Sequence, residues 1–334
     1  MPEAVWFSAP RRVEIRDEAL PPLGPADAHV RAVVSGVSAG SELLVYRGEA
    51  PADLKPDLPT IAGAFGFPVK FGYASVGRVV RTGDQVEEPR IDDLVFVHYP
   101  HQSEYVVPAS AAVLLPSGLS PEIGVFSANL ETAVTVVLDA RPRLSEVVLV
   151  TGQGVVGLLV TMLLKRAGAG SVVTVDSHAR RREASIGAGA DLAVAPDDDV
   201  RGAVEELTGG RGADVAIEAS GSPAGLQTCI DAAAYAGTVV AASWYGIRPV
   251  ALTLGGAFHR KRLRVLSSQV STLDPAIGAR WDRARRTRLV TDLLCELPLS
   301  GLVTHRFPLR DAAAAYELLD QRPEECMQVV LEHD

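Results

Sequence analysis

Cysteine is scarce in this chain of 334 residues: Cys229, Cys295 and Cys326 are its only three. They are scattered, with neither a pair nor a ligand spacing among them, so no disulfide framework is expected and a reducing compartment is. Blocks of like charge are also missing. Lys and Arg number 32 against 41 Asp and Glu, a net charge of −9. An acidic, unpatterned surface argues against nucleic acid and anionic membranes as partners. No long apolar run goes unbroken. The most apolar stretch, Val147 to Leu164, is interrupted by Gly152, Gln153, Gly154 and Gly157, unlike a membrane span. The opening "MPEAVWFSAPRRVEIRDEALPP" lacks a signal-peptide core and alternates apolar with polar residues, which predicts a β-hairpin. Internal repeats and low-complexity segments are absent. The expectation is a cytoplasmic protein that acts on a small molecule.

What is there divides into two textures. With 47 % apolar residues over this length, two domains with buried cores are expected. Up to about residue 118, short β-type runs ("HVRAVVSGV", "YASVGRVVRTG", "DLVFVHYP", "SEYVVPA") alternate with Gly and Pro. That predicts a mostly antiparallel, partly open barrel. From about residue 125, apolar runs such as "EVVLVTG", "SVVTVD", "ADVAIEAS" and "GTVVAAS" alternate with helical segments, which predicts a buried parallel sheet. The boundaries follow: a barrel-like substrate domain from residues 1–124 and 271–334 around a doubly wound nucleotide domain, 125–270.

Gly152-x-Gly154-x-x-Gly157 lies between a predicted strand and a predicted helix, the context a dinucleotide cradle needs. The first glycine permits the tight turn and the second lets a pyrophosphate reach the backbone. The third lets the helix pack on the sheet, with Val155 and Val156 at its positive end. Asp176 ends the next strand about 20 residues on, where a carboxylate accepts both ribose hydroxyls. That favours NAD. Arg180 and Arg181, in "DSHARRR", keep NADP open, because guanidinium groups there suit a 2′-phosphate.

The stretch "SGVSAGSELLVYRG" (35–48) resembles the segment where zinc alcohol and polyol dehydrogenases write C-G-T-D-L-H-x-Y-R-G. With "GYASVGRVV", the glycine turn, "VAIEASGSP" and the closing "LVTHRFPLRDAAAAYELLD", the full length resembles the medium-chain dehydrogenase/reductase superfamily. The resemblance implies a Rossmann domain beside a GroES-like domain, with substrate between them. It also implies a homodimer joined through the last Rossmann strand, 263–270. Family zinc enzymes carry Cys where Ala39 stands, and G-H-E-x-x-G where this chain has Gly72-Tyr73-Ala74-Ser75-Val76-Gly77. A third ligand would fall near Ala128, with Glu131 the only acid close by. Catalytic zinc needs three protein ligands, so the chain is placed with zinc-lacking members that write S-A-G-T/S-E, among them bacteriochlorophyllide dehydrogenase-like oxidoreductases.

Hydride chemistry belongs to the nicotinamide and survives loss of the metal. The proton then needs another carrier. Ser41 stands at the family's proton-relay hydroxyl, Tyr73 at a ligand histidine, and His98 and His101 follow a strand at the cleft entrance. Blander readings stand beside these. Tyr73 can simply fill the vacated metal cavity, Ser41 can bond its own turn, and the histidines can be surface-loop residues or a weak H-x-x-H metal pair. Glu42 matches the family's loop aspartate, an orienting group. The expected function is zinc-independent, NAD-dependent exchange of a hydride with a secondary alcohol or ketone. The alternatives are reduction of an activated C=C bond and a non-catalytic nucleotide-binding protein.

Overall fold

The computed structural model describes residues 1–58 and 60–333, and the chain divides into two compact units, 1–128 with 287–334, and 129–286. Residues 271–286, expected with the first unit, belong to the second. Arg286 explains the difference: its buried guanidinium donates to Thr135 Oγ1 at 3.0 Å and to the Val270 carbonyl at 2.6 Å.

In the second unit six parallel strands lie in the spatial order Leu192–Val194, Ser171–Val175, Val147–Thr151, Ala213–Glu218, Ala233–Ala241, Arg264–Ser267. In chain order that is 3-2-1-4-5-6, the doubly wound Rossmann arrangement, with its switch point beside the first strand. Every residue of Val147–Thr151 is buried, as a strand covered on both faces must be. The last strand, Arg264–Ser267, is an edge and is largely exposed.

The first unit opens with the predicted hairpin, Glu3–Ala9 against Arg12–Asp17. Its main sheet runs Val303–Pro308, Gln328–Glu332, Asp27–Val37, Ser75–Thr82, Leu94–Val97, Val113–Leu114, antiparallel except for the first pair. The eleven-residue strand Asp27–Val37 has two partners in succession along one edge. Asp27 to Arg31 pair with Pro108 to Glu104, and Val34 to Val37 pair with Glu332 to Val329. The change of partner falls at Ala32 and Val33, where the Ala32 N–H donates to the Ser103 carbonyl and the Val33 carbonyl accepts from the His333 N–H. Pro121–Ala140 is the single stretch among the described residues whose length and hydropathy match a membrane span, and 61 % of it is buried in the fold, as in a core helix.

Candidate functional site

In the second unit the strand Val147–Thr151 passes through Gly152 into the helix Val155–Arg166. Each glycine has a different reason. Gly152 has φ +87°, and a Cβ there would lie 2.5 Å from the Ser220 backbone. A Cβ on Gly157 would strike the Gly152 carbonyl at 1.9 Å. Gly154 is different: a Cβ there would meet no protein atom within 4 Å. The fold does not need a glycine at 154, and a ligand pressed against the backbone would. No side chain caps the helix beginning there, so its first N–H groups are left for an anion. Asp176 is 7 % exposed; Oδ2 accepts the Gln153 N–H at 2.7 Å and Oδ1 the His178 N–H at 2.8 Å. The carboxylate is thereby fixed at the end of the second strand, beside the cradle. These residues fit the pyrophosphate and ribose of a dinucleotide. Arg182, in the same run, donates to the Asp176 and Ser177 carbonyls, at 2.8 and 3.0 Å.

In the first unit the helix Ser41–Arg47 and the segment leading into Ser75–Thr82 bring two hydroxyls together. Ser41 Oγ lies 2.7 Å from Tyr73 Oη, and Ser38 Oγ lies 3.5 Å from Ser41 Oγ. Tyr73 keeps part of its surface open. Burial of the rest, then the Glu42 charge, push its phenol up to about 12 against the hydrogen bonds from Ser38 and Ser41. The phenol is therefore protonated across the physiological range. His98 is half-buried, and its Nδ1–H donates to the Tyr73 carbonyl at 3.1 Å, holding the backbone of that residue.

His101 is not on a rim. It is fully buried, with Nε2 2.9 Å from Glu42 Oε2 and Nδ1 2.7 Å from Ser35 Oγ. Ser35 Oγ in turn meets His333 Nε2 at 2.9 Å. The sheet explains this: His101 precedes the strand starting at Glu104, His333 follows the strand ending at Glu332, and these two strands succeed each other along Asp27–Val37, which carries Ser35. Glu42, fully buried, accepts the Ser38 N–H at 2.9 Å, and Tyr316 donates its hydroxyl to Oε2. Burial and that carboxylate hold the Tyr316 phenol well above its ordinary value, so it acts as a donor. Burial, then the neighbouring His101, lower His333 to about 3, so its imidazole is neutral. Gly72, with φ +125°, packs on the His101 ring; a Cβ there would lie 2.6 Å from Cδ2. One imidazole thus braces both loops, 38–42 and 72–73, that carry the paired hydroxyls. Ser35, Tyr316 and His333 escaped the sequence reading because they lie far apart in the chain and match no motif.

The bonds of the two histidines differ: His98 Nδ1 bonds the Tyr73 carbonyl, and His101 bonds Glu42 and Ser35. Glu131 pairs with Arg286 at 3.8 Å. Among the described residues no group of three His, Cys, Asp or Glu side chains is arranged to hold a metal ion.

Residues 155–283 match the family model described as zinc-binding dehydrogenase. The chain is 28 % identical over 271 residues to D-guloside 3-dehydrogenase of Escherichia coli K12, covering 78 % of this chain and 76 % of that one. It is 27 % identical over 346 residues to 2-desacetyl-2-hydroxyethyl bacteriochlorophyllide A dehydrogenase of Rhodobacter capsulatus, covering 99 % and 98 %. Among solved structures, an alcohol dehydrogenase from E. coli CFT073 complexed with NADH superposes with a TM-score of 0.80 at 21 % identity, covering 99 % of each chain. The chain is thus similar, in sequence and in fold, to the zinc-type alcohol dehydrogenase-like oxidoreductases of the medium-chain dehydrogenase/reductase superfamily.

Proposed function

We propose that the protein is an NAD-dependent dehydrogenase that exchanges a hydride with a secondary alcohol or ketone without a catalytic metal ion. The observation that carries this is the Ser41–Tyr73 contact of 2.7 Å, built from loops whose metal-ligand positions hold Ala39 and Tyr73. Bound nicotinamide supplies or accepts the hydride. The residues of this chain handle the proton: in ketone reduction Tyr73 Oη donates to the forming alkoxide, and Ser41 Oγ, in hydrogen-bond contact, relays to it a proton taken up from solvent. Such a positioned donor contributes about 10² to 10⁴ in rate. His98 holds the Tyr73 backbone, and His101 with Glu42 holds both loops in register.

Asp176 favours NAD over NADP, because a fixed carboxylate accepts ribose hydroxyls and repels a 2′-phosphate. The exposed edge strand Arg264–Ser267 supports a homodimer paired across that edge. Three free cysteines suit a reducing, cytoplasmic setting.

Purified protein should carry no stoichiometric zinc by elemental analysis and should keep its NAD-linked activity in chelator, measured across a panel of secondary alcohols and ketones. One tightly bound zinc per chain, with activity lost on its removal, would sink the proposal.

A further inference from the structure

The strand Ala213–Glu218 ends on a carboxylate inside the second unit. Glu218 is fully buried in the middle of the parallel sheet, in register with Thr151 on one side and Ala241 on the other. Burying a carboxylate costs free energy unless hydrogen bonds replace its water, and here donors from two loops do so. Oε1 accepts the Ser220 N–H at 2.6 Å, and the Ser220 hydroxyl and Gly221 N–H at 2.8 Å each. Oε2 accepts the Tyr245 hydroxyl at 2.6 Å. Burial, then the bond to Glu218, raise the Tyr245 phenol above its ordinary value, so it stays a donor at neutral pH. One side chain thereby joins the loop after its own strand, 219–221, to the loop after Ala233–Ala241, 243–248. The Gly221 N–H also meets Ser243 Oγ at 2.9 Å, and the Arg248 guanidinium donates to the Gly221 and Tyr245 carbonyls at 3.3 Å.

The order of the strands gives these loops a use. Asp176 follows Ser171–Val175, which lies on one side of Val147–Thr151; Ala213–Glu218 lies on the other side. A dinucleotide with one ribose on Asp176 and its pyrophosphate over Gly154 therefore extends its second half across the ends of Ala213–Glu218 and Ala233–Ala241. The loop 219–221 already presses on the cradle, since a Cβ on Gly152 would lie 2.5 Å from the Ser220 backbone. We propose that Glu218 and Tyr245 are positioning residues for the nicotinamide half of the cofactor: their hydrogen bond locks loops 219–221 and 243–248 into the surface on which that half is ordered. Glu218 acts through the loops, because its side chain has no exposed surface of its own. The proposal rests on the nicotinamide-cofactor reading above, and it concerns residues that neither the glycine cradle nor the Ser41–Tyr73 pair uses.

The test compares NADH with ADP, which keeps the adenosine and pyrophosphate and lacks the nicotinamide nucleoside. Both are titrated into nucleotide-free, full-length protein by calorimetry. Tyr245→Phe keeps the ring and removes the hydroxyl that reaches Glu218. It should weaken NADH binding by about tenfold or more, the usual effect of losing a hydrogen bond to a charged group. ADP affinity should stay within about twofold of the parent, which also shows that the variant has folded around its cradle. Asp176→Ala is the contrasting variant and should weaken both ligands, because it acts on the half they share. A purely structural role for Tyr245 would move NADH and ADP together. Unchanged NADH affinity in Tyr245→Phe, or equal losses for the two ligands, would overturn the proposal while leaving the cofactor reading intact. Failure of the parent protein to bind either ligand would overturn that reading and the proposal with it.

Discussion

His101 Nε2 lies 2.9 Å from Glu42 Oε2, and neither side chain reaches solvent. Removing one member of a buried pair leaves the other without its partner, at a typical cost of about 3 to 5 kcal/mol. His101→Ala should therefore lower stability to urea by on the order of 3 kcal/mol, reduced from the upper end because Glu42 keeps Ser38 and Tyr316. His101→Gln should recover part of this. Equal midpoints for the parent and His101→Ala would show that the pair contributes nothing.

Tyr73→Phe removes the hydroxyl that Ser41 contacts and keeps the ring. Turnover should fall by at least about 10² while NADH affinity, read by fluorescence titration, stays the same. Because the Tyr73 phenol is held up to about 12, ketone reduction in the parent should be nearly flat with pH across the neutral range. Alcohol oxidation, which needs the proton removed, should climb with pH over the same range. Near-normal turnover in Tyr73→Phe would remove this residue from the proton path.

His333 gives the first unit an acid sensitivity. Its folded pKa of about 3 lies below the ordinary 6.5, so the unfolded chain takes up the proton first. The stability that depends on neutral His333 is complete above pH 6.5 and is lost as pH falls towards 3, by about 1.4 kcal/mol per pH unit. His333→Gln should flatten urea-derived stability over that window. An unchanged slope would place the acid sensitivity elsewhere.

The glycines at 154 and 157 should respond oppositely. Gly154→Ala meets no protein atom, so melting should barely change while NADH binding weakens by about tenfold or more. Gly157→Ala drives a Cβ into the Gly152 carbonyl and should lower the melting temperature outright. Asp176→Ala should narrow the difference between NADH and NADPH affinities. Undiminished NADH binding by Gly154→Ala would mean the backbone there does not approach the cofactor.

The exposed edge Arg264–Ser267 should pair across a two-fold axis, giving a dimer by light scattering at micromolar concentration. Val265, 40 % exposed on that strand, is the position to test: Val265→Pro removes a ladder N–H and should yield monomers. A monomeric parent protein would refute the dimer.

The Rossmann strands and the glycine cradle were legible because their signals are local. A fully buried strand is a continuous apolar run, and a turn with φ +87° needs glycine whatever surrounds it. The paired hydroxyls were half legible: Ser41 and Tyr73 each occupy a motif position, but their 2.7 Å contact needs two loops to be folded against each other. Arg286 drew residues 271–286 into the nucleotide unit through hydrogen bonds to groups far away in the chain, which no local pattern encodes. The same holds for Ser35, His101 and His333. They meet because one strand changes partners midway, so that the ends of both partner strands converge near Ser35. Sequence alone determined which chemistry was present; the register of the sheet decided that His101 would brace the loops from within instead of facing solvent.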